Sequence, residues 1–286
     1  MKKVFYILLG ALIASCSKDP ALWETQNLNG NKVSAFGHAS MGIFFKYPVD
    51  SYESFEPCMR IGGDGTEMDV QMTKDSLLVL FHDQKLQDGT LCSGIINEKD
   101  WSEIKNCLHA SPYSNSVNMI TADFLISRIE PDKIITFDCK LYNALGEDRE
   151  HFLETYASAI IKLADAYNLR QRLFIESSDT IFLRILKTRD PALKLFIYPG
   201  NFESALTVAN KMDLYGITID NAKITKDQVK LAHEHNRHVT VWNVESDNAN
   251  IKAVEKNVDY IQSDKIIHLL KMFDRYKKQG VKNFKW

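Results

Sequence analysis

The stretch 65–90, GTEMDVQMTKDSLLVLFHDQKLQDGT, decides how this chain is read. Thr66-Met72 reads as a β-strand, and Leu77-His82 reads as a second, shorter strand directly after it. Glu67 and Asp69 stand two residues apart, so on a strand they point to the same face. The rest of that strand is apolar or small. Two carboxylates held side by side repel unless a cation lies between them. The short strand ends in His82-Asp83, which places a titratable pair close to the two acids.

Working outward, further short β-rich runs alternate with amphipathic helical runs. The strand candidates are Val33-Phe36, Lys133-Lys140, Arg172-Glu176, Leu193-Tyr198, Tyr215-Asp220, His238-Asn243 and Tyr260-Gln262. The helix candidates are Asp148-Tyr167, Thr180-Lys187, Phe202-Lys211, Lys226-His235 and Asn248-Lys256. Strands alternating with helices call for βαβ units and a parallel sheet. About eight such units over this length predict an α/β fold, a (β/α)8 TIM barrel. An open doubly wound sheet is the runner-up, but no Gly-rich phosphate loop follows the first strand. The second unit carries a small insertion of about fifty residues. There, Asp100-Leu108 and Thr121-Ile129 are expected to form two helices.

In a barrel, the C-terminal ends of the strands form the active-site rim. Gly37-His38 ends the first strand, and Asp138-Cys139-Lys140 ends the third. Alternation points Asp138 inward and Cys139 away from it. Taken singly, each of these is an ordinary strand end, solvated edge or ion pair. Their occurrence together, in order on consecutive strand ends, marks a site. All three carboxylates, Glu67, Asp69 and Asp138, offer hard oxygen ligands, which favours Mg2+ or Ca2+ over zinc. Magnesium is slightly preferred, because the short Asp138 leaves room for a retained water.

Several of these segments resemble the glycerophosphodiester phosphodiesterase family. The segments are GHASMG, SYESF, the 65–90 block, Asp138-Cys139-Lys140, Val241-Trp242-Asn243-Val244 and Asn257 to Asp264. The resemblance covers roughly residues 33 to 270, and its central Glu-x-Asp…His-Asp block is highly specific. It implies a TIM barrel with a cation held by Glu67, Asp69 and Asp138. His38 and His82 would serve as acid and base, and Lys140 would lie near the phosphate. Glu53 would hold the loop of the first His. Trp242 could wall the substrate pocket, and a packed aromatic is an equal reading. Two positions depart from the pattern. The Arg that follows the first His in the family is Ala39 here, which removes a two-pronged phosphate anchor. The third carboxylate is Asp138 in place of Glu, one methylene shorter.

The expected reaction is metal-dependent hydrolysis of a glycerophosphodiester to glycerol 3-phosphate and an alcohol. One alternative is another phosphodiester, such as a lysophospholipid, on the same fold. Another is a catalytically weak phosphate-binding module, against which the retention of both histidines argues. Lys+Arg total 35 against 37 Asp+Glu, a net charge of −2. That balance gives no sign of a nucleic-acid partner, which needs a strongly basic face.

The first fifteen residues read as a signal peptide. Lys2 and Lys3 precede the apolar run Val4 to Ala14, which is too short to span a bilayer. Ile13-Ala14-Ser15-Cys16 resembles a lipobox, so Cys16 is the expected site of lipidation. Residues 16–32 then form a tether, and 33–286 form the barrel. Ser17 after the Cys points to the outer membrane in the best-known sorting rule. Cys58, Cys92, Cys107 and Cys139 match no zinc spacing and are expected to be mostly free, buried thiols. Tyr198 and Glu176 lie at predicted strand ends and are weaker site candidates. His233, His235 and His238 read as solvated residues around a helix end more readily than as a metal cluster. Lys277, Lys278, Lys282 and Lys285 form a basic tail, read as a solvated end, with membrane contact the sharper idea.

Overall fold

A computed structural model describes residues 24–278, apart from 44, 113–115, 144, 147 and 199. The leader, Cys16, Lys282 and Lys285 lie outside the described residues. Eight parallel strands close on themselves. They are β1 (Ser34–Gly37), β2 (Gly65–Met72), β4 (Ile134–Cys139), β5 (Leu173–Ser177), β6 (Lys194–Ile197), β7 (Gly216–Asp220), β8 (His238–Val244) and β9 (Tyr260–Ser263). Each pairs in parallel with its neighbours, and β1 pairs with both β9 and β2. That last pairing closes the ring and excludes the open doubly wound sheet. The short β3 (Leu78–Leu80) runs antiparallel to the outer end of β2, with Val70 opposite Leu80.

The connecting helices follow the amphipathic runs. They are α4 (Arg149–Ala166), α5 (Thr180–Arg189), α6 (Phe202–Lys211), α7 (Lys226–Glu234) and α8 (Asp247–Glu255). Each begins at a polar cap: Asp148, Asp179, Asn201, Thr225 and Ser246 each accept a backbone N–H of the first turn. Two further helices, α1 (Tyr52–Arg60) and α9 (Ile266–Met272), were not among the sequence candidates. Pro57 interrupts the signal in α1, and α9 is only seven residues long.

The insertion differs from expectation. Its helices shrink to α2 (Trp101–Ile104) and α3 (Ala122–Ile126). Residues 107–109 turn extended instead, because the chain pairs there: Leu108 bridges Asn118 and Thr90 bridges His109. The second bridge sets two segments side by side and brings the Cα atoms of Cys92 and Cys107 to 5.7 Å, where they form a disulfide. The expectation of mostly free thiols therefore holds for Cys58 and Cys139 and fails for this pair. Cysteine spacing cannot announce a pairing that a long-range bridge creates.

The barrel interior has two different ends. At the base, where the strands begin, Phe36, Phe174, Phe196 and Tyr260 form a separate buried aromatic cluster. Phe174 meets Tyr260 edge-on at 5.0 Å, and Phe196 lies 5.1 Å from Phe174. A side chain at Gly65 would strike the Ile134 carbonyl and the Phe36 ring, so the plug demands glycine there. At the mouth, where the strands end, the interior turns polar.

Candidate active site

Strand register assembles the acids. Asp69 lies opposite Asp138, and Asp138 opposite Glu176. Glu67 and Asp69 are both buried and face the same cavity, of about 510 Å3. One ligand oxygen from each of Glu67, Asp69 and Asp138 lies within 4.8 Å of the others. Burial raises the Glu67 carboxyl well above its usual range, and the charge of Asp69 adds to that. Burial likewise raises Asp138, although Lys140 partly offsets the effect. The Lys140 ammonium bridges two of the three acids, at 2.7 Å from Asp138 and 2.9 Å from Asp69. Its charge relieves that pair and does not reach Glu67 among the ion pairs of the described residues. An all-oxygen set whose repulsion Lys140 offsets only in part fits a hard divalent cation.

His38 stands at the end of β1 on a sharply turned loop. Gly37 permits the turn, since a Cβ there would fall 1.3 Å from the Ser40 carbonyl oxygen. Ala39 and Ser40 both take positive φ, 45° and 86°. The loop is held from below: Ala39 N–H donates to Glu67 Oε2 at 2.9 Å, and Met41 N–H donates to Ser54 Oγ. His38 Nδ1 bonds Asp264 Oδ1 at 2.9 Å, and its Nε2 lies 3.9 Å from Glu67 Oε2. Burial alone would lower the His38 pKa. The hydrogen bond to Asp264 and the charges of Glu67, Asp264 and Asp69 outweigh burial and raise it to about 9. His82 sits across the cavity, more exposed, with Nδ1 2.9 Å from Asp83 Oδ1.

The structure brings His38, His82, Glu67, Asp69, Asp138, Lys140 and Trp242 around one cavity. Trp242 packs edge-on against Tyr198 at 5.6 Å, and its indole N–H has no partner among the described residues. Ala39 also lines the cavity, so no side chain reaches inward at the position where the family pattern has Arg. Glu53 is not brought there. It lies in the first turn of α1, and the contacts of the His38 loop go to Ser54, one residue on. The correction is one of helix phase: positions 53 and 54 point about 100° apart on a helix.

Asp264 and Asp50 were not legible as site residues, whereas Glu176, a weaker candidate from its strand end, does line the cavity. Asp264 follows β9, and its role depends on β9 pairing with β1 at the barrel seam. Asp50, fully buried at φ 56°, accepts the Asp69 N–H at 3.0 Å, and burial together with the charge of Asp69 holds its carboxyl well above the usual range. Glu176 is clamped from across the barrel by Thr218 Oγ1 at 2.7 Å and Gln262 Nε2 at 2.9 Å. Burial pushes its pKa up to about 8, against those hydrogen bonds. Of the three histidines of the 233–238 segment, His235 is exposed as expected, whereas His233 and His238 are only partly exposed. His233 and His238 both face Asp259, at 2.9 and 3.5 Å, and His235 bonds Asn210.

A closed parallel barrel with a carboxylate triad and two histidines at its mouth defines the class: a TIM barrel with a site able to hold a divalent cation. The particular family follows from comparison with known proteins. The profile of the glycerophosphoryl diester phosphodiesterase family matches residues 42–268, and the chain belongs to that family of phosphoric diester hydrolases. A glycerophosphodiester phosphodiesterase from Caldanaerobacter subterraneus is 24% identical over 226 residues, which cover 76% of this chain and 88% of that protein. Among solved structures, an Oleispira antarctica phosphodiesterase in complex with the product sn-glycerol-3-phosphate has a TM-score of 0.72 at 18% identity. That match covers 84% of this chain and 96% of the other. A glycerophosphoryl diester phosphodiesterase from Parabacteroides distasonis has a TM-score of 0.67 at 18% identity, covering 90% of this chain and 91% of that one.

Proposed function

We propose that this protein hydrolyses glycerophosphodiesters to glycerol 3-phosphate and an alcohol, with a divalent cation held by Glu67, Asp69 and Asp138. The single observation that carries the reading is the meeting of that triad with two histidines around one cavity. The bound cation supplies Lewis-acid neutralisation of the phosphoryl oxygens. Magnesium is favoured slightly over calcium by the short Asp138. Lys140 adds a fixed positive charge beside the phosphate. With Ala39 in place of the family Arg, Lys140 and the cation carry the anchoring, and the unpartnered Trp242 N–H is a further donor to the substrate.

His38 is the acid. Asp264 holds its Nδ1, and its Nε2, 3.9 Å from Glu67, faces the cavity, from which it protonates the departing alkoxide. His82 is the base that takes a proton from the attacking water, or from the glycerol hydroxyl, whose cyclic phosphate a water then opens to glycerol 3-phosphate, while Asp83 holds its Nδ1. A leaving-group experiment tests this division. An ester with a p-nitrophenolate leaving group needs no acid, so His38→Ala should keep most of its turnover on that substrate and lose it on glycerophosphoethanolamine. His82→Ala should lose both. The opposite pattern would exchange the two roles, no effect of either variant on either substrate would remove the two-histidine mechanism, and no turnover of either substrate by the parent protein would remove the hydrolase reading.

The N-terminal reading is part of the same proposal. Residues 1–15 are an export signal, Cys16 carries lipid, the expected tether of 16–32 ends where 24–32 bond the barrel, and the protein resides at the outer membrane. Replacing Cys16 by Ser and fractionating cells tests it: an unchanged membrane fraction would end the anchor reading.

A further inference from the structure

Residues 24–32 are docked on the base of the barrel, opposite the active-site mouth. Thr25 Oγ1 donates to the Asn31 carbonyl. Asn27 Nδ2 donates to the Val258 carbonyl at 2.9 Å. The backbone N–H groups of Leu28 and Asn29 donate to Asp259 Oδ1 at 2.8 and 3.0 Å. Asp259 is wholly buried at the start of β9, where its other oxygen accepts the Val239 N–H at 2.7 Å and faces His233. A buried carboxylate with this many donors is a strong clamp, and breaking it would strand a charge.

The other end of the chain leaves from the same face. Arg275 bonds Asp64 at 2.7 Å and the Val33 carbonyl, and Lys277 N–H donates to the Ile61 carbonyl. Val33 and Asp64 directly precede β1 and β2, so Lys277 and Lys278 also emerge at the base.

Reach then decides orientation. From Cys16 to the docked Thr25 there are about nine residues, at most roughly 30 Å of chain. The eight residues of β2 run about 26 Å along the strand, which at the usual barrel tilt of about 36° makes a wall about 21 Å high. To bring the mouth to the surface that holds Cys16, the tether would have to climb that wall stretched beyond the roughly 15–18 Å typical of nine flexible residues. A base-down pose needs no such extension and lets the lysines meet anionic headgroups.

We infer that the anchored protein stands base-down, with its active site facing away from the membrane that carries it, so that its substrates are water-soluble, deacylated diesters and not lipids of that membrane. This rests on the lipid anchor and the hydrolase activity proposed above.

The test uses the full lipidated chain in vesicles of phosphatidylethanolamine and phosphatidylglycerol that contain an acceptor-labelled headgroup. A donor dye is placed at the base by Glu234→Cys or at the mouth by Leu145→Cys, both exposed positions. The native thiols are buried or paired and do not compete. Strong energy transfer from the base and weak transfer from the mouth is expected. Equal transfer, or stronger transfer from the mouth, overturns the inference, as does a chain that is not lipidated and never binds. Inserting about 30 Gly/Ser residues after Lys18 should erase the difference, because such a linker reaches well beyond the wall. A difference that survives the insertion would mean that the lysines of the base, and not the tether, set the pose, and the reach argument would fall. Turnover of glycerophosphoethanolamine in the bulk phase is read separately. Its absence with the transfer difference intact would strike the hydrolase reading and the substrate claim but leave the pose. Hydrolysis of lysophosphatidylethanolamine embedded in the same vesicle, at the rate of the soluble diester, would overturn the substrate claim.

Discussion

The mouth and the base of this barrel are built by the same eight strands and obey opposite rules. At the base, four buried aromatic rings fill the interior and pack on one another. At the mouth, the same strands carry Glu67, Asp69, Asp138, Lys140 and Glu176, groups that burial penalises and that repel or bind one another. The strands thus concentrate stabilising burial at one end and tolerate costly charge at the other. The base is where stability should be lost on mutation, and the mouth is where activity should be lost without it.

The largest expected effect breaks the mouth alone. His38→Ala and His82→Ala should each lower turnover of glycerophosphoethanolamine by about 10²–10⁴-fold, with little change in melting temperature. A melt shifted as far as that of a core mutant would mean that the histidine holds the fold and would blur the contrast. A second break runs the other way. Phe174→Ala removes a fully buried ring from the centre of the plug and should cost about 3–5 kcal/mol in denaturant unfolding. The KM of the protein that remains folded should be unchanged.

A third test sharpens the comparison, because the mouth has its own support. The Cys92–Cys107 bridge closes a loop of 15 residues in the insertion beside the site. Reducing it, or replacing both cysteines by Ser, should cost up to about 3 kcal/mol by loop entropy, and the loss should appear first in hydrogen exchange of residues 81–110. Uniform loss of protection, base included, would show one cooperative unit in place of two.

The smallest effect concerns His109, 3% exposed in the same insertion and packed on Phe81. Burial lowers its pKa to about 4 from the ordinary 6.5. A depressed histidine contributes stability above its unfolded pKa and loses it as pH falls from about 6.5 toward 4, where the unfolded chain binds the proton more readily. His109→Leu should therefore flatten the fall of melting temperature over that window. An unchanged slope would assign the acid sensitivity to the carboxylates of the mouth.

Much of this was written locally. Alternation put Glu67 and Asp69 on one face, the β-rich runs located all eight barrel strands, and amphipathic runs located the five helices α4 to α8, because each depends on neighbours a few residues away. The 65–90 block and the strand-end histidines named the family for the same reason. What only the tertiary structure decided depends on closure and on long-range pairing. Asp264 meets His38 because β9 closes against β1, and Glu176 is clamped by Thr218 and Gln262 from across the barrel. Cys92 finds Cys107 through the Thr90–His109 bridge. Ser54 takes the place expected of Glu53 by one step of helix phase. The docking of 24–32 on Asp259 joins residues some 230 positions apart, a separation no local pattern can encode.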